Sequence, residues 1–149
     1  MTTISIQRNE QPHHQPLPPV APDLFQALPD QSGLVGAYCC QCERHFFPLI
    51  NQCSSCYGPL ERRLFGERGN IYSWTVVRTK APFALPEPYA VGYIDLADLP
   101  LRVFCLLDPE ATADLTVGAA VSLKAMSLGV NASGAPCVRP VYCLTREAA

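Results

Sequence analysis

Cys39-Cys40-Gln41-Cys42 and, after ten intervening residues, Cys53-Ser54-Ser55-Cys56 decide the front half of the fold. Two Cys-x2-Cys pairs set two knuckles, because a two-residue gap bends the chain enough for both sulfurs of a pair to face one ion. The spacing predicts that Cys39, Cys42, Cys53 and Cys56 bind one zinc ion; iron in the same four-sulfur geometry is the alternative that spacing leaves open. Four protein ligands leave no open coordination position, so such a site orders a fold and does not activate water. Cys40 has only one residue between it and Cys42 and would strain the turn, so it lies outside the set. Arg44, Arg62 and Arg63 are read as solvated surface residues.

Downstream of Gly66 the chain turns strand-like. Gly69-Asn70 marks a turn before Ile71-Tyr72-Ser73-Trp74-Thr75-Val76-Val77, a run of β-branched and aromatic residues. Comparable runs cover residues 89–96, 101–107, 119–125 and 137–144, which gives five strands. Five short strands behind a ribbon fit a small Greek-key barrel of the OB type. Pro140 within the last run marks an edge or a bulge, since proline cannot donate to a central ladder. Tyr72, Trp74, Tyr93 and Phe104 are read as barrel core in preference to a base-stacking platform. Cys105, Cys137 and Cys143 are read as small buried apolar groups.

Upstream, Pro12, Pro16, Pro18, Pro19 and Pro22 stand among polar residues, a composition that resists helix and sheet alike. Asp23 then caps a predicted helical turn over residues 24–28, with Leu24, Phe25 and Leu28 on one side. The expected organisation is an extended or disordered arm (1–22), a short helix with the zinc ribbon (23–65), and an OB-fold barrel (66–149). The fold class is mostly β.

No apolar run approaches the roughly 18–20 residues of a membrane span, and the first sixteen residues hold no apolar signal core. The expectation is a soluble, cytoplasmic protein that takes neither membrane nor nucleic acid as partner. Apolar residues make up 48% of the chain and charged residues 16%, with a net charge of -2. Such a chain lacks the basic excess that neutralises a phosphate backbone. Arg78, Lys80, Arg102 and Lys124 are too few for a phosphate track, so a single-stranded nucleic-acid binder is the second reading. Claisen-type chemistry needs an activated cysteine with a base beside it. His13 and His14 fall in the arm and His45 between the knuckles, so no catalytic residue is assigned and the chain is expected not to be an enzyme by itself.

The ordered set of elements resembles the acyl-CoA-associated OB-fold proteins with a rubredoxin-like zinc ribbon, a family long called a domain of unknown function. The resemblance covers about residues 24–145. It rests on Leu24-Phe25-Gln26-Ala27-Leu28, Gly33-Leu34, the four knuckle cysteines with Phe47-Pro48 between them, the run 69–77, and Leu115-Thr116-Val117-Gly118-Ala119-Ala120-Val121. Glu43 stands where the family usually has glycine, and Leu49 where a basic residue is common. The resemblance implies a non-catalytic accessory subunit in a hetero-oligomer, docked on a thiolase-like or ketosynthase-like catalytic subunit, or on a hydratase-like one, and framing the path of an acyl-CoA. Breakdown of an aromatic compound is one pathway it allows. The loop 78–88 is the expected partner surface, and a CoA thioester contacted at that interface would meet Arg78 and Lys80.

Overall fold

The computed structural model describes residues 16–145. Among them the chain forms nine strands: β1 (Phe25–Ala27), β2 (Ser32–Cys39), β3 (Arg44–Phe46), β4 (Glu61–Phe65), β5 (Arg68–Val77), β6 (Tyr89–Leu96), β7 (Arg102–Leu107), β8 (Ala120–Val130) and β9 (Pro136–Leu144). The first four make a small antiparallel sheet in which β2 pairs with β1, β3 and β4. The last five close into a barrel in the order β5-β6-β7-β9-β8, with β8 returning to β5 and only β7 and β9 parallel. This closed five-stranded Greek key is the OB-type barrel that the strand runs predict. Closure pairs every barrel strand on two sides, which removes exposed edges.

The predicted helical turn over 24–28 does not form. After a turn closed by Leu24 and Phe25 amides on the Ala21 carbonyl, residues 25–27 become β1, with Phe25 opposite Leu34 and Ala27 opposite Ser32. Leu28 and Gln31 exchange both backbone hydrogen bonds, so Pro29-Asp30 is the tip of a hairpin. One isolated helical turn fixes several dihedrals for a single hydrogen bond. The hairpin gives the same residues a partner strand. It also sends Phe25 inward, 1% exposed, while Leu28 is 54% exposed, so the two share no face.

Phe25 and Leu34 belong to the same apolar cluster as the barrel residues Ile71, Ile94, Val103, Leu107, Val121 and Tyr142. Burying each such side chain stabilises by about 1.5–3 kcal/mol, so one core joins ribbon and barrel. Tyr142 adds a directional link: its buried hydroxyl donates to the Gly66 carbonyl at 2.7 Å. Gly66 has φ +90, a left-handed conformation suited to glycine, at the point where the chain passes from β4 to β5.

The sequence predicts an extended or disordered arm over residues 1–22. Its first fifteen residues lie outside the described part. Residues 18–20 run extended against β9: the Val138 amide donates to the Pro18 carbonyl and the Val20 amide to the Val138 carbonyl, at 2.9 and 2.8 Å. Pro140 pairs with Ala125 of β8, and the second ladder, to β7, begins at Val141, so the proline sits where β9 has strand pairing on one side only.

The four aromatics read as barrel core are not core. Tyr72, Trp74, Tyr93 and Phe104 are 50%, 37%, 47% and 56% exposed. The period-two alternation of a strand explains it: Phe104 lies between buried Val103 and Cys105, and Tyr93 between buried Gly92 and Ile94. Tyr72 falls in a bulge, where the β5–β6 register shifts between Ile71 and Ser73.

Candidate metal centre

Cys39 ends β2, and Cys42 lies in the turn that returns the chain into β3. Cys53 and Cys56 lie in the long connection between β3 and β4, which has no strand of its own. The four sulfurs lie within 4.8 Å of one another. The sulfurs of Cys39 and Cys56 are 3.6 Å apart and those of Cys42 and Cys53 are 3.9 Å apart. A tetrahedron with metal–sulfur bonds near 2.3 Å has edges of about 3.8 Å, so the cluster has the size that zinc or iron requires. Cys40 is exposed and outside the cluster.

Backbone amides aim at the sulfurs. The amides of Cys42, Ser55 and Gly58 donate to Cys39, Cys53 and Cys56 Sγ, each at 3.4 Å. Such donors stabilise thiolate over thiol. The amides of Cys56 and Ser55 pull the Cys53 thiol down to about 6. The side-chain contact with Cys56, with burial adding to it, pushes Cys42 up to about 12. Four crowded sulfurs therefore cannot all ionise alone, and a bound cation is what would let them.

Arg44 has a role that spacing did not reveal. Its Nη1 donates to Ser55 Oγ at 2.8 Å and so ties the start of β3 to the second knuckle. A serine inside a Cys-x2-Cys gap with an arginine just past the other pair was the available signal. Arg62 donates to Gln26 Oε1 at 3.0 Å, and Arg63 pairs with Glu61 at 2.7 Å while lying over the Tyr38 ring. His45 packs on Tyr38 in a tilted arrangement, with centroids 4.7 Å apart and ring planes at 41°, and meets the edge of Phe65. His13 and His14 lie outside the described residues.

Glu43 follows the first knuckle at φ +53, and Tyr57 follows the second at φ +58. The left-handed conformation costs an L residue roughly 1–2 kcal/mol. Glu43→Gly is accordingly expected to raise the stability of the metal-loaded ribbon by about 1 kcal/mol, after the greater freedom of glycine in the unfolded chain is subtracted. Chemical denaturation compares the two proteins; a variant no more stable than the parent would show that Glu43 is not strained.

Outside the ribbon the cysteines are buried. Cys105 Sγ donates to the Pro140 carbonyl at 3.2 Å, and burial pushes its thiol up to about 12. Cys143 contacts Met126 Sδ at 3.8 Å, and burial raises it too. Cys137 is fully buried. Arg78 and Lys80 are exposed, but the loop they open does not simply project. Glu87 accepts from the Ala81 amide at 2.7 Å, and the turn Pro82–Ala84 packs on β8. Among the described residues no helix is long and apolar enough to cross a membrane.

Comparison with known proteins adds four findings. The family of the ChsH2 C-terminal OB-fold domain matches residues 62–125. The benzoylsuccinyl-CoA thiolase subunit BbsA of Thauera aromatica is 33% identical over 112 residues, 65% of this chain and 73% of that one. A DUF35 domain-containing scaffold protein of Methanothermobacter thermautotrophicus (strain ATCC 29096 / DSM 1053 / JCM 10044 / NBRC 100330 / Delta H) is 34% identical over 77 residues, 50% of this chain and 58% of its own length, so under two thirds of that relative is spanned. Among solved structures, the Ltp2-ChsH2(DUF35) aldolase matches with a TM-score of 0.61 at 21% identity, covering 75% of this chain and 84% of that one, which is a likeness of fold.

Proposed function

Because this chain belongs to the DUF35 family of OB-fold proteins, we propose that it is a non-catalytic, zinc-binding accessory subunit of an acyl-CoA-processing complex, docked on a thiolase-type catalytic subunit. The observation that carries the reading is the likeness to a thiolase subunit over 73% of that subunit's length. The chemistry of the chain supports it. Thiolytic carbon–carbon cleavage requires a thiolate nucleophile and a base within reach. Here the buried thiols of Cys105 and Cys143 are pushed up, and four other cysteines face one another. His45 packs against the Tyr38 and Phe65 rings, and burial with the Arg63 charge lowers its imidazole from the ordinary value, which weakens it as a base. Zinc at Cys39, Cys42, Cys53 and Cys56 supplies cross-links that the strand-free connection lacks, and takes no part in the reaction.

Benzoylsuccinyl-CoA is the first substrate to assay, since a relative's complex acts on it. The isolated chain is expected to leave CoA-dependent cleavage at background. Adding it to the thiolase-family chain that co-purifies with it is expected to raise that chain's turnover at least about tenfold, about 1.4 kcal/mol of barrier. Turnover by the isolated chain, or an unchanged rate on recombination, would overturn the assignment.

A further inference from the structure

Three large rings, Tyr72, Tyr93 and Phe104, stand half-exposed on one face of the barrel. Tyr93 of β6 and Phe104 of β7 are direct cross-strand partners, with ring centroids 5.2 Å apart. Two positions along, Asp95 and Arg102 form the next outward pair, closed by hydrogen bonds of 2.6 and 3.2 Å. The Arg102 guanidinium lies 3.2 Å from the centre of the Tyr72 ring. Phe104 also walls an apolar cavity of about 230 Å³ that opens between barrel and ribbon, bounded by Val91 and Leu106 on one side and Leu34, Phe47 and Leu24 on the other.

The chemistry of this face selects among the things that could cover it. A single-stranded nucleic acid would stack on the rings but needs cations for its phosphates. Arg102 is committed to Asp95 and Tyr72, and Arg139, at the cavity wall, donates to the Leu128 and Val130 carbonyls. A cofactor or drug-sized ligand occupies pockets of about 300–1,000 Å³, more than this cavity offers. A protein surface fits: its anchor residues are bulky apolar side chains seated in small dry pockets, ringed by aromatic contacts that exclude water. The neutralised ion pair adds orientation without demanding a charged partner.

The geometry points to the β5–β6–β7 face, with Tyr93 and Phe104 at its centre and the neighbouring cavity as the seat for one bulky apolar side chain, as the docking surface for the catalytic subunit. This inference rests on the accessory-subunit reading above and names the surface by which it is fulfilled. Since the contact is apolar, its affinity is nearly independent of salt.

The test uses the thiolase-family chain that co-purifies with the full-length protein, identified by mass spectrometry and then titrated calorimetrically at low and high salt. Phe104→Ala and Tyr93→Ala are each expected to weaken binding about 30-fold, the scale of an interface anchor. Val91→Phe, which fills the cavity from within, is expected to weaken it comparably. Leu28→Ser, an exposed position on the β1–β2 turn, is expected to leave it unchanged, with the thermal midpoints of all variants confirming that they fold. Unchanged affinity in the three face variants would overturn this surface and leave the accessory role standing. Failure of the parent protein to retain any thiolase-family chain would remove the accessory role and this surface with it. Salt-steep binding of a thymidine oligonucleotide, lost in Tyr93→Ala and Phe104→Ala, would assign the face to base stacking instead.

Discussion

Replacing Cys39 and Cys56 together by serine is expected to abolish stoichiometric zinc and to unfold the knuckle end of the ribbon while the barrel keeps its structure. The connection from Phe46 to Glu61 contains no strand, so few backbone ladders hold it when the sulfurs let go. Structural zinc contributes roughly 10–16 kcal/mol in small ribbons at neutral pH, comparable with the whole stability of a domain, about 5–15 kcal/mol. The loss is graded along the chain. Phe25 and Leu34 are each 1% exposed and packed into the barrel cluster, so the start of β2 stays anchored while its end at Cys39 frays. Hydrogen exchange read by mass spectrometry is expected to show residues 39–60 losing protection, 32–36 keeping most of theirs, and the barrel strands changing little. One zinc per chain in the double variant would refute the ligand set, and one iron per chain in the parent would replace zinc with an electron-transfer metal.

The parts of this molecule that were legible from sequence are those whose signal is local. The knuckle cysteines carry their geometry in their spacing, and the barrel strands announce themselves as β-branched runs bounded by Gly, Asn and Pro. What escaped depends on partners distant in sequence. Residues 24–28 meet helical spacing over five positions, but β1 exists because Phe25 finds Leu34, and the Pro29-Asp30 tip was the only nearby clue. The run 89–96 is apolar almost throughout, which ordinarily signals burial on both faces. Its outward member Tyr93 is nonetheless 47% exposed, because none of the described residues folds over that side. Its partner Phe104 hides in the same way among Val103, Cys105 and Leu106. Glu43 at φ +53 is invisible for a simpler reason: nothing in a glutamate suggests left-handed backbone. Only the family's usual glycine at that position hinted at it.

Gly36→Ala is expected to destabilise the ribbon by about 3 kcal/mol, the upper end for forcing one extra carbon into a packed site. Gly36 lies in β2 opposite Arg63 of β4. A Cβ built there would overlap the Phe65 ring and the Phe46 carbonyl oxygen more closely than real Cβ atoms approach their neighbours. The two obstacles differ in kind. The ring can swing, though it is wedged between His45 and Phe47 at centroid distances of 5.9 and 6.3 Å. The carbonyl belongs to the three-residue strand β3 that leads back to Cys42, so moving it displaces the backbone next to a metal ligand. The substitution should therefore speed transfer of zinc to a competing chelator as well as lower the denaturation midpoint. Phe65→Leu in the Gly36→Ala background shortens the ring and should restore part of the stability but little of the zinc retention, since the carbonyl clash remains. Equal midpoints for parent and Gly36→Ala would mean that β2 and β4 separate at little cost, and full rescue of zinc retention by Phe65→Leu would place the whole constraint in the ring.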